Sequence, residues 1–475
     1  MSAVDTAWLR MDRPDNLMVI CGVVTLHDRV DRGRLAATIE KRFLRYARFR
    51  RRPLEVAGTV YWEADRAFDL DHHLVDVALP RPGGTRQLQA LVSRLISTPL
   101  DPARPLWQYH LVRNYRGGSA LVMRIHHCYA DGIALTRVLL SMADAARRRA
   151  PVVAAKTTRA GDGAAGLAQL AGSLPGALQL ALRIGTAMID KGVAIWQEPK
   201  AALALANQGT AFAGEIARLA LMPRDSPTRF KGRPGVAKRV AWAPPISLAA
   251  VKVLGKATKA SVNDVLLSCA AGALRSYLVD KGDPVRGVVI RALVPVNLRP
   301  LEKAHELGNQ FGLVFLDLPI GIANPVRRLH AVRANMNALK SSYQPVLALG
   351  LLAAMGAGPK LLQEQLLLAL ARNATAVMTN VPGPQAPLFM AGAQIDGLMV
   401  WVPQSGDIGM GVSIISYNGQ VQFGLVTDRG LCPDPGKITA RFGPEFDALQ
   451  SALPKRRRKR GPRRSPKRSP KRSPG

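Results

Sequence analysis

The 475-residue chain is 48% hydrophobic and only 5% aromatic, long enough for one large domain or two, with cores packed mainly by aliphatic side chains. A formal net charge of +33 favours anionic partners: phosphate-bearing ligands, an acidic lipid surface or, nonspecifically, nucleic acid. The four cysteines, Cys21, Cys128, Cys269 and Cys432, lie far apart and show no C-x-x-C or paired histidine spacing, which argues against a disulfide framework and a zinc site.

The opening MSAVDTAWLRMDRPDN carries acidic residues and no continuous apolar core, so the sequence predicts no secretory signal and a cytoplasmic protein. An apolar run over 18–26 predicts a first strand, and GRLAATIEKRFLRYARF over 33–49 predicts a helix that Pro53 ends. The arginines at 50–52 then form a solvated basic corner. After a short strand at 60–62 comes a first histidine pair, His72 and His73, with no following turn signal, and both are expected to be structural. A helix over 85–96 leads to the proline-stiffened PLDPARPLW, which delivers 108–113 as a strand.

The second histidine pair stands in RIHHCYADG. Leu121, Met123 and Ile125 alternate with their neighbours as in a half-buried strand, whereas Ile133, Val138, Leu139 and Met142 recur at helical spacing. His126 and His127 therefore sit at a strand end, before a tight turn and a helix. The pleat points them to opposite faces, so only one enters a given cavity. A neutral imidazole there is suited to take a proton from a hydroxyl near neutral pH. Asp131 either orients that ring or pairs with a distant arginine such as Arg299, and Gly132 allows a backbone conformation or a close approach that a side chain would block.

The spacing His-His-x-x-x-Asp-Gly resembles the active-site motif of the CoA-dependent acyltransferase superfamily, to which chloramphenicol acetyltransferase and condensation domains belong. The resemblance implies His127 as general base, His126 as its support and Asp131 as a mainly structural acid. Pro105, Leu106 and Trp107 match a Pro-Leu-Trp element of the superfamily and are expected to shape the channel.

Beyond the motif, 152–226 shifts to Ala, Gly and Leu and predicts a helical crossover. Two uncharged stretches, 163–182 and 345–359, are respectively too interrupted and too short to span a bilayer, though either suits a membrane interface. A strand at 240–242, a helix at 248–255 and a long apolar helix from 261 to 278 follow, the last capped by Ser261 or Asn263. The segment 294–300 predicts a buried strand ending in a turn, and 311–318 another strand. Asn418-Gly419 between apolar alternations predicts a type I′ hairpin.

Asn263-Asp264 before GALRSYL, the strand VPVNLRP, LGNQ, MTNVPGP and the last hairpin occur in an order similar to the wax ester synthase/acyl-CoA:diacylglycerol acyltransferase family, over roughly residues 3–450. That family implies an α/β fold of two chloramphenicol-acetyltransferase-like halves with a central channel at their interface. The expected halves are 1–151 and 227–453. Long-chain acyl groups would pass from acyl-CoA, the co-substrate, to diacylglycerol or a fatty alcohol, with no permanent cofactor and no metal. Thr379, Asn380, Asn263 and Asp264 are the expected second-half site, with Thr379 or Asn380 as oxyanion donor. The expected location is peripheral to the inner membrane or lipid droplets.

The tail 454–475 departs from that pattern. RSPKRSPKRSPG cannot bury a core and predicts a disordered basic extension for anionic lipid or nucleic acid. Two other readings stand beside the enzyme: the same fold acting on a carrier-bound acyl donor or on a glycolipid or polyketide alcohol, and a non-catalytic basic protein associated with membrane or nucleic acid.

Overall fold

The computed structural model describes residues 1–145, 222–297, 311–340, 372–404 and 406–453. The expected crossover, the apolar stretches at 163–182 and 345–359, Arg299, the LGNQ segment and the basic tail lie outside the described residues.

Sixteen strands are described, and they form two sheets of seven and a hairpin. The first sheet runs β4 (Leu74–Val77), β5 (Trp107–Tyr115), β6 (Gly118–His126), β1 (Val19–Leu26), β14 (Ala393–Trp401), β13 (Leu388–Met390), β7 (Ala143–Ala145). The second runs β11 (Phe311–Leu318), β10 (Ile290–Asn297), β12 (Ala376–Pro382), β15 (Met410–Tyr417), β16 (Gln420–Asp428), β8 (Lys238–Trp242), with β9 (Ile246–Ser247) also on β16. β2 (Arg51–Val56) and β3 (Thr59–Ala64) form the separate hairpin.

The centre of each sheet is covered on both faces. β1, VICGVVTL, is buried along its whole length, as are β6 and β15, and such strands need continuous apolar runs rather than alternation. β13 and β14 come from late in the chain yet pair in the first sheet, where Cys21 lies opposite Trp401 and Val24 opposite Leu398. The chain thus leaves the second sheet after β12, adds two strands to the first, and returns as β15.

Helix Thr85–Ile96 wedges between the halves. Leu88, Leu91 and Val92 make one apolar face against a cluster that takes Met399, Trp401, Val240 and Val426 from elsewhere in the chain. Each such burial is worth about 1.5–3 kcal/mol. Ser93 Oγ accepts the Val240 N–H at 2.9 Å and Ser97 Oγ the Lys238 N–H at 2.8 Å, which stitches β8 to this helix. In the second half, helices Val262–Asp280 and Pro435–Ser451 cover one face of the sheet through Leu266, Ala270, Leu274, Phe442 and Phe446.

The helix expected over 33–49 is not continuous. It is α-helical from Arg32 to Thr38, widens to a π turn at Ile39–Phe43, and re-forms as a 3-10 turn at Ala47–Arg50. Leu44 and Phe49 are both buried, and their spacing of five does not fit one helical face. Pro53 does not end a helix either. It lies in β2 opposite Trp62, in a two-stranded sheet where its missing N–H is tolerated. The hairpin at Asn418-Gly419 forms as expected, with φ of 46° and 75° at the two central residues.

Candidate functional site

The strand-turn-helix corner builds one wall of a cavity between the sheets. Along β6, alternation sends Met123 and Ile125 to one face, and His127, just past the strand end, continues that face. Ile20 and Gly22 of β1 lie beside them, and Leu293, Pro295, Leu313, Val377, Thr379 and Asn380 close the cavity from the second sheet. Its volume is about 130 Å³ and its wall is mainly apolar.

His126 turns away from this cavity, as the pleat requires. Its Nδ1 accepts the Cys128 N–H at 3.1 Å and its Nε2 lies 3.5 Å from Asp12 Oδ1, so the ring braces the turn against the segment before β1. His127 is 3% exposed, and its backbone N–H donates to the Met18 carbonyl at 2.7 Å. Its ring stacks on the Trp8 indole, with centroids 4.0 Å apart and planes 20° from parallel.

The residues between the histidines and the glycine fix the turn. Tyr129 OH donates to the Arg51 carbonyl at 2.6 Å and accepts the Leu106 N–H at 2.9 Å. The Tyr129 carbonyl accepts from Arg48 Nη1 at 2.9 Å, and Arg48 also pairs with buried Asp5 at 3.4 Å. Burial pushes the Cys128 thiol and the Tyr129 phenol well above their ordinary ranges, which keeps both protonated. Cys128 is therefore not a thiolate nucleophile.

Asp131 is buried and lines the cavity. Its Oδ1 accepts the Ala134 N–H at 2.8 Å, an N-cap contact for helix Gly132–Met142. Of the two alternatives expected of Gly132, the special backbone conformation is absent, whereas the wall does have room for a close approach. Gly132 does not have a positive φ, and a Cβ there would meet no protein atom within 4 Å. The glycine keeps space open in the cavity wall rather than permitting a strained turn.

From the second half, Thr379 and Asn380 reach the cavity on β12. Thr379 is buried, with its hydroxyl only loosely held by the Val412 carbonyl at 3.4 Å. Asn380 Nδ2 donates to Asn263 Oδ1 at 2.7 Å. Asn263 thus stands behind the wall rather than in it. Ser261, not Asn263, caps the helix, and Asp264 completes the capping box by accepting the Ser261 N–H at 2.8 Å. Gly383, just beyond β12, is forced by contact: a Cβ would stand 2.4 Å from the Ser416 carbonyl oxygen.

Pro105, Leu106 and Trp107 do not line this cavity. Trp107 is 1% exposed, donates Nε1–H to the Phe49 carbonyl at 2.8 Å, and stacks on His73 at 4.3 Å. His73, held by Nδ1 at 2.7 Å from the Trp107 carbonyl, is structural as expected, and burial pulls its proton affinity down. Leu106 meets the motif through its backbone, its N–H donating to Tyr129 OH and its carbonyl accepting the His126 N–H at 2.9 Å. Among the described residues no group of His, Cys, Asp and Glu is placed to hold a metal ion.

Trp8 is the cavity-lining neighbour of His127 that motif reasoning missed. The available signal was Asp5-x-x-Trp8, one helical turn apart on a single face of helix Ala3–Arg10.

Comparison with known proteins bears on the family and the fold. The family description "Wax ester synthase/diacylglycerol acyltransferase catalytic domain" matches residues 1–266, and "WS/DGAT C-terminal domain" matches residues 307–450. A probable diacylglycerol O-acyltransferase of Mycobacterium tuberculosis is 29% identical over 416 residues, 86% of this chain and 85% of the relative. A second protein of that organism, also named as a diacylglycerol O-acyltransferase, is 30% identical over 418 residues, 84% and 80% respectively. Among solved structures, the wax ester synthase/diacylglycerol acyltransferase from Marinobacter aquaeolei VT8 superposes with a TM-score of 0.65 at 20% identity, covering 94% of this chain and 97% of its own. A variant starter condensation domain of rhizomide synthetase, in complex with C8-CoA, gives 0.56 at 14% identity, covering 95% and 94%. The two-lobed α/β architecture is common to both.

Proposed function

The chain belongs to the wax ester synthase/diacylglycerol acyltransferase family, and from that premise we propose that His127 is the general base of its acyl transfer. The protein is an O-acyltransferase, moving a fatty acyl group to diacylglycerol or a long-chain alcohol. The donor is acyl-CoA. His127 takes the acceptor's hydroxyl proton as the oxygen attacks the thioester carbonyl, and the proton goes to the CoA sulfur as the C–S bond breaks.

The observation that carries this reading is the division of labour at the histidine pair. His127 lines an apolar cavity between the sheets while His126 braces the turn behind it. An apolar wall suits alkyl substrates and strengthens the few polar contacts made within it. Asn380 is the oxyanion donor in this scheme: one amide hydrogen is committed to Asn263, which orients the group, and the second serves the developing oxyanion. Thr379, beside it on the wall, is the other donor available. Asp131 holds the turn through its cap.

In the same reading, 1–151 and 227–453 are the two halves of the acyltransferase, joined by 152–226 and followed by the basic tail 454–475. No helix among the described residues is long and apolar enough to cross a membrane. The enzyme meets its lipid substrates at the surface of the inner membrane or a lipid droplet, and the net charge of +33 adds attraction to anionic lipid.

The test is thiol release from palmitoyl-CoA by the purified protein, with diacylglycerol and hexadecanol offered separately. Acceptor-dependent release that vanishes in His127→Ala is the expected result. Full release by His127→Ala would sink the mechanism, and release only from a carrier-bound donor would move the protein to the other branch of the fold.

A further inference from the structure

We infer that Trp8 is a positioning residue for acyl transfer: its indole face holds the His127 ring at the cavity wall and carries the positive charge that ring acquires with the acceptor's proton. The inference rests on the reading of His127 as the base.

The geometry is specific. Trp8 is 5% exposed, lines the same cavity as His127, and lies face to face with it at 4.0 Å between centroids. In the reaction the acceptor O–H bond breaks and its proton goes to the imidazole, while the oxygen forms its new bond to the thioester carbon. The C–S bond then breaks and the proton passes to sulfur. Between those two events the ring is an imidazolium in a wall with few polar groups. A cation over an indole face is attracted by the ring quadrupole, most strongly where water is excluded. The neutral ring gains much less, so the stack favours the charged state that the reaction passes through.

The stack is also held from behind. Ser2 Oγ accepts the Asp5 N–H at 3.1 Å and caps the helix that carries Trp8. Asp5, one turn before Trp8 and 1% exposed, pairs with Arg48, whose guanidinium donates to the Tyr129 carbonyl in the motif turn. Arg48 lies 5.3 Å over the Trp62 ring. Helix and turn are thereby locked in register, which fixes the plane of Trp8 against the plane of His127.

Other ionisable groups surround the ring and must be kept constant in any test. Asp131 lines the same cavity. Cys128 follows in the chain, with Asp5, Arg48 and Asp12 acting on it electrostatically. Asp12 reaches His126. The second-sheet residues that line the cavity are all uncharged. Replacing Trp8 alters none of these groups.

The experiment is the pH profile of kcat/KM with palmitoyl-CoA and hexadecanol for the full chain, Trp8→Leu, Trp8→Phe and a protein with tetrafluorotryptophan at position 8. The fluorinated ring keeps the shape and removes the negative face, so it reports even if Trp8→Leu fails to fold. The expected result is an acidic limb displaced to lower pH by roughly one unit in the leucine and fluorinated proteins, with a rate loss of about tenfold, and a smaller displacement in Trp8→Phe. His127→Ala is measured alongside. If it is inactive while the limb stays in place in the fluorinated protein, Trp8 only fills space and the inference is overturned. If His127→Ala keeps its turnover, the base assignment itself fails and takes this inference with it.

Discussion

Asn380 of β12 donates its amide to Asn263 Oδ1 at 2.7 Å, across 117 positions of sequence. The bond ties the strand of the TNVPGP segment to the first turn of helix Val262–Asp280, so the cavity wall is anchored on a rigid element. Asn263→Ala is expected to lower stability by about 1 kcal/mol and kcat by roughly tenfold, because the Asn380 amide loses its orientation. Asn263→Asp keeps the acceptor and should retain most activity. Urea unfolding and steady-state kinetics on the two variants separate these outcomes.

The two histidines should respond in opposite ways. His127→Ala is expected to cost roughly 10² to 10⁴ in kcat, the usual contribution of a positioned base. His126→Ala removes the acceptor for the buried Cys128 N–H and should cost about 1–3 kcal/mol of stability with a much smaller effect on turnover at low temperature. Thermal unfolding beside single-temperature kinetics checks both, and a stable, inactive His126→Ala would reverse the assignment.

Asp131 serves as a cap through its Oδ1, and asparagine can make the same contact with the Ala134 N–H. Asp131→Asn is therefore expected to fold with near-normal stability, while Asp131→Ala loses about 1 kcal/mol and frays the start of helix Gly132–Met142. A large kcat loss in a fully folded Asp131→Asn protein would show that the negative charge is needed as well as the cap.

Stability should depend on acid through His110. Burial, aided by the Arg124 charge, pushes this imidazole down from 6.5 to about 4, while a backbone hydrogen bond to Val122 pulls the other way. Below pH 6.5 the unfolded chain binds a proton that the native site refuses. The stabilisation is complete above 6.5, declines as pH falls, and is lost by about pH 4, up to about 3 kcal/mol in all. His73, also lowered by burial, acts in the same direction. Urea midpoints from pH 7.5 to 4 check this, and His110→Gln should flatten the dependence.

Much of the corner that carries the second histidine pair was legible locally. The alternation Leu121, Met123, Ile125 extends through His127 because a pleated strand repeats every two residues, which sets His126 and His127 on opposite faces; the motif's resemblance singled out His127, and the packing of the two sheets puts the cavity on its side. Helix Thr85–Ile96 and the I′ hairpin at Asn418-Gly419 follow from equally short-range signals. The break in 33–49 did not, because the residues there satisfy helical propensity, whereas the bends answer to the burial of Phe43 and Phe49 against Trp107 and Tyr129.

The sequence by itself determined the strand-turn-helix order of the motif corner, helix Thr85–Ile96, the turn at Asn418-Gly419 and the opposite facing of the two histidines, since these depend on periodicity and backbone preference within a dozen residues. Only the tertiary structure decided that Trp8 lies on His127, that Asn263 holds Asn380, that β13 and β14 join the first sheet, and that Trp107 belongs to the core rather than the cavity wall. Those contacts are set by strand order and by how two sheets meet. Local propensity carries no information about either, because the partners are chosen by packing between segments far apart in the chain.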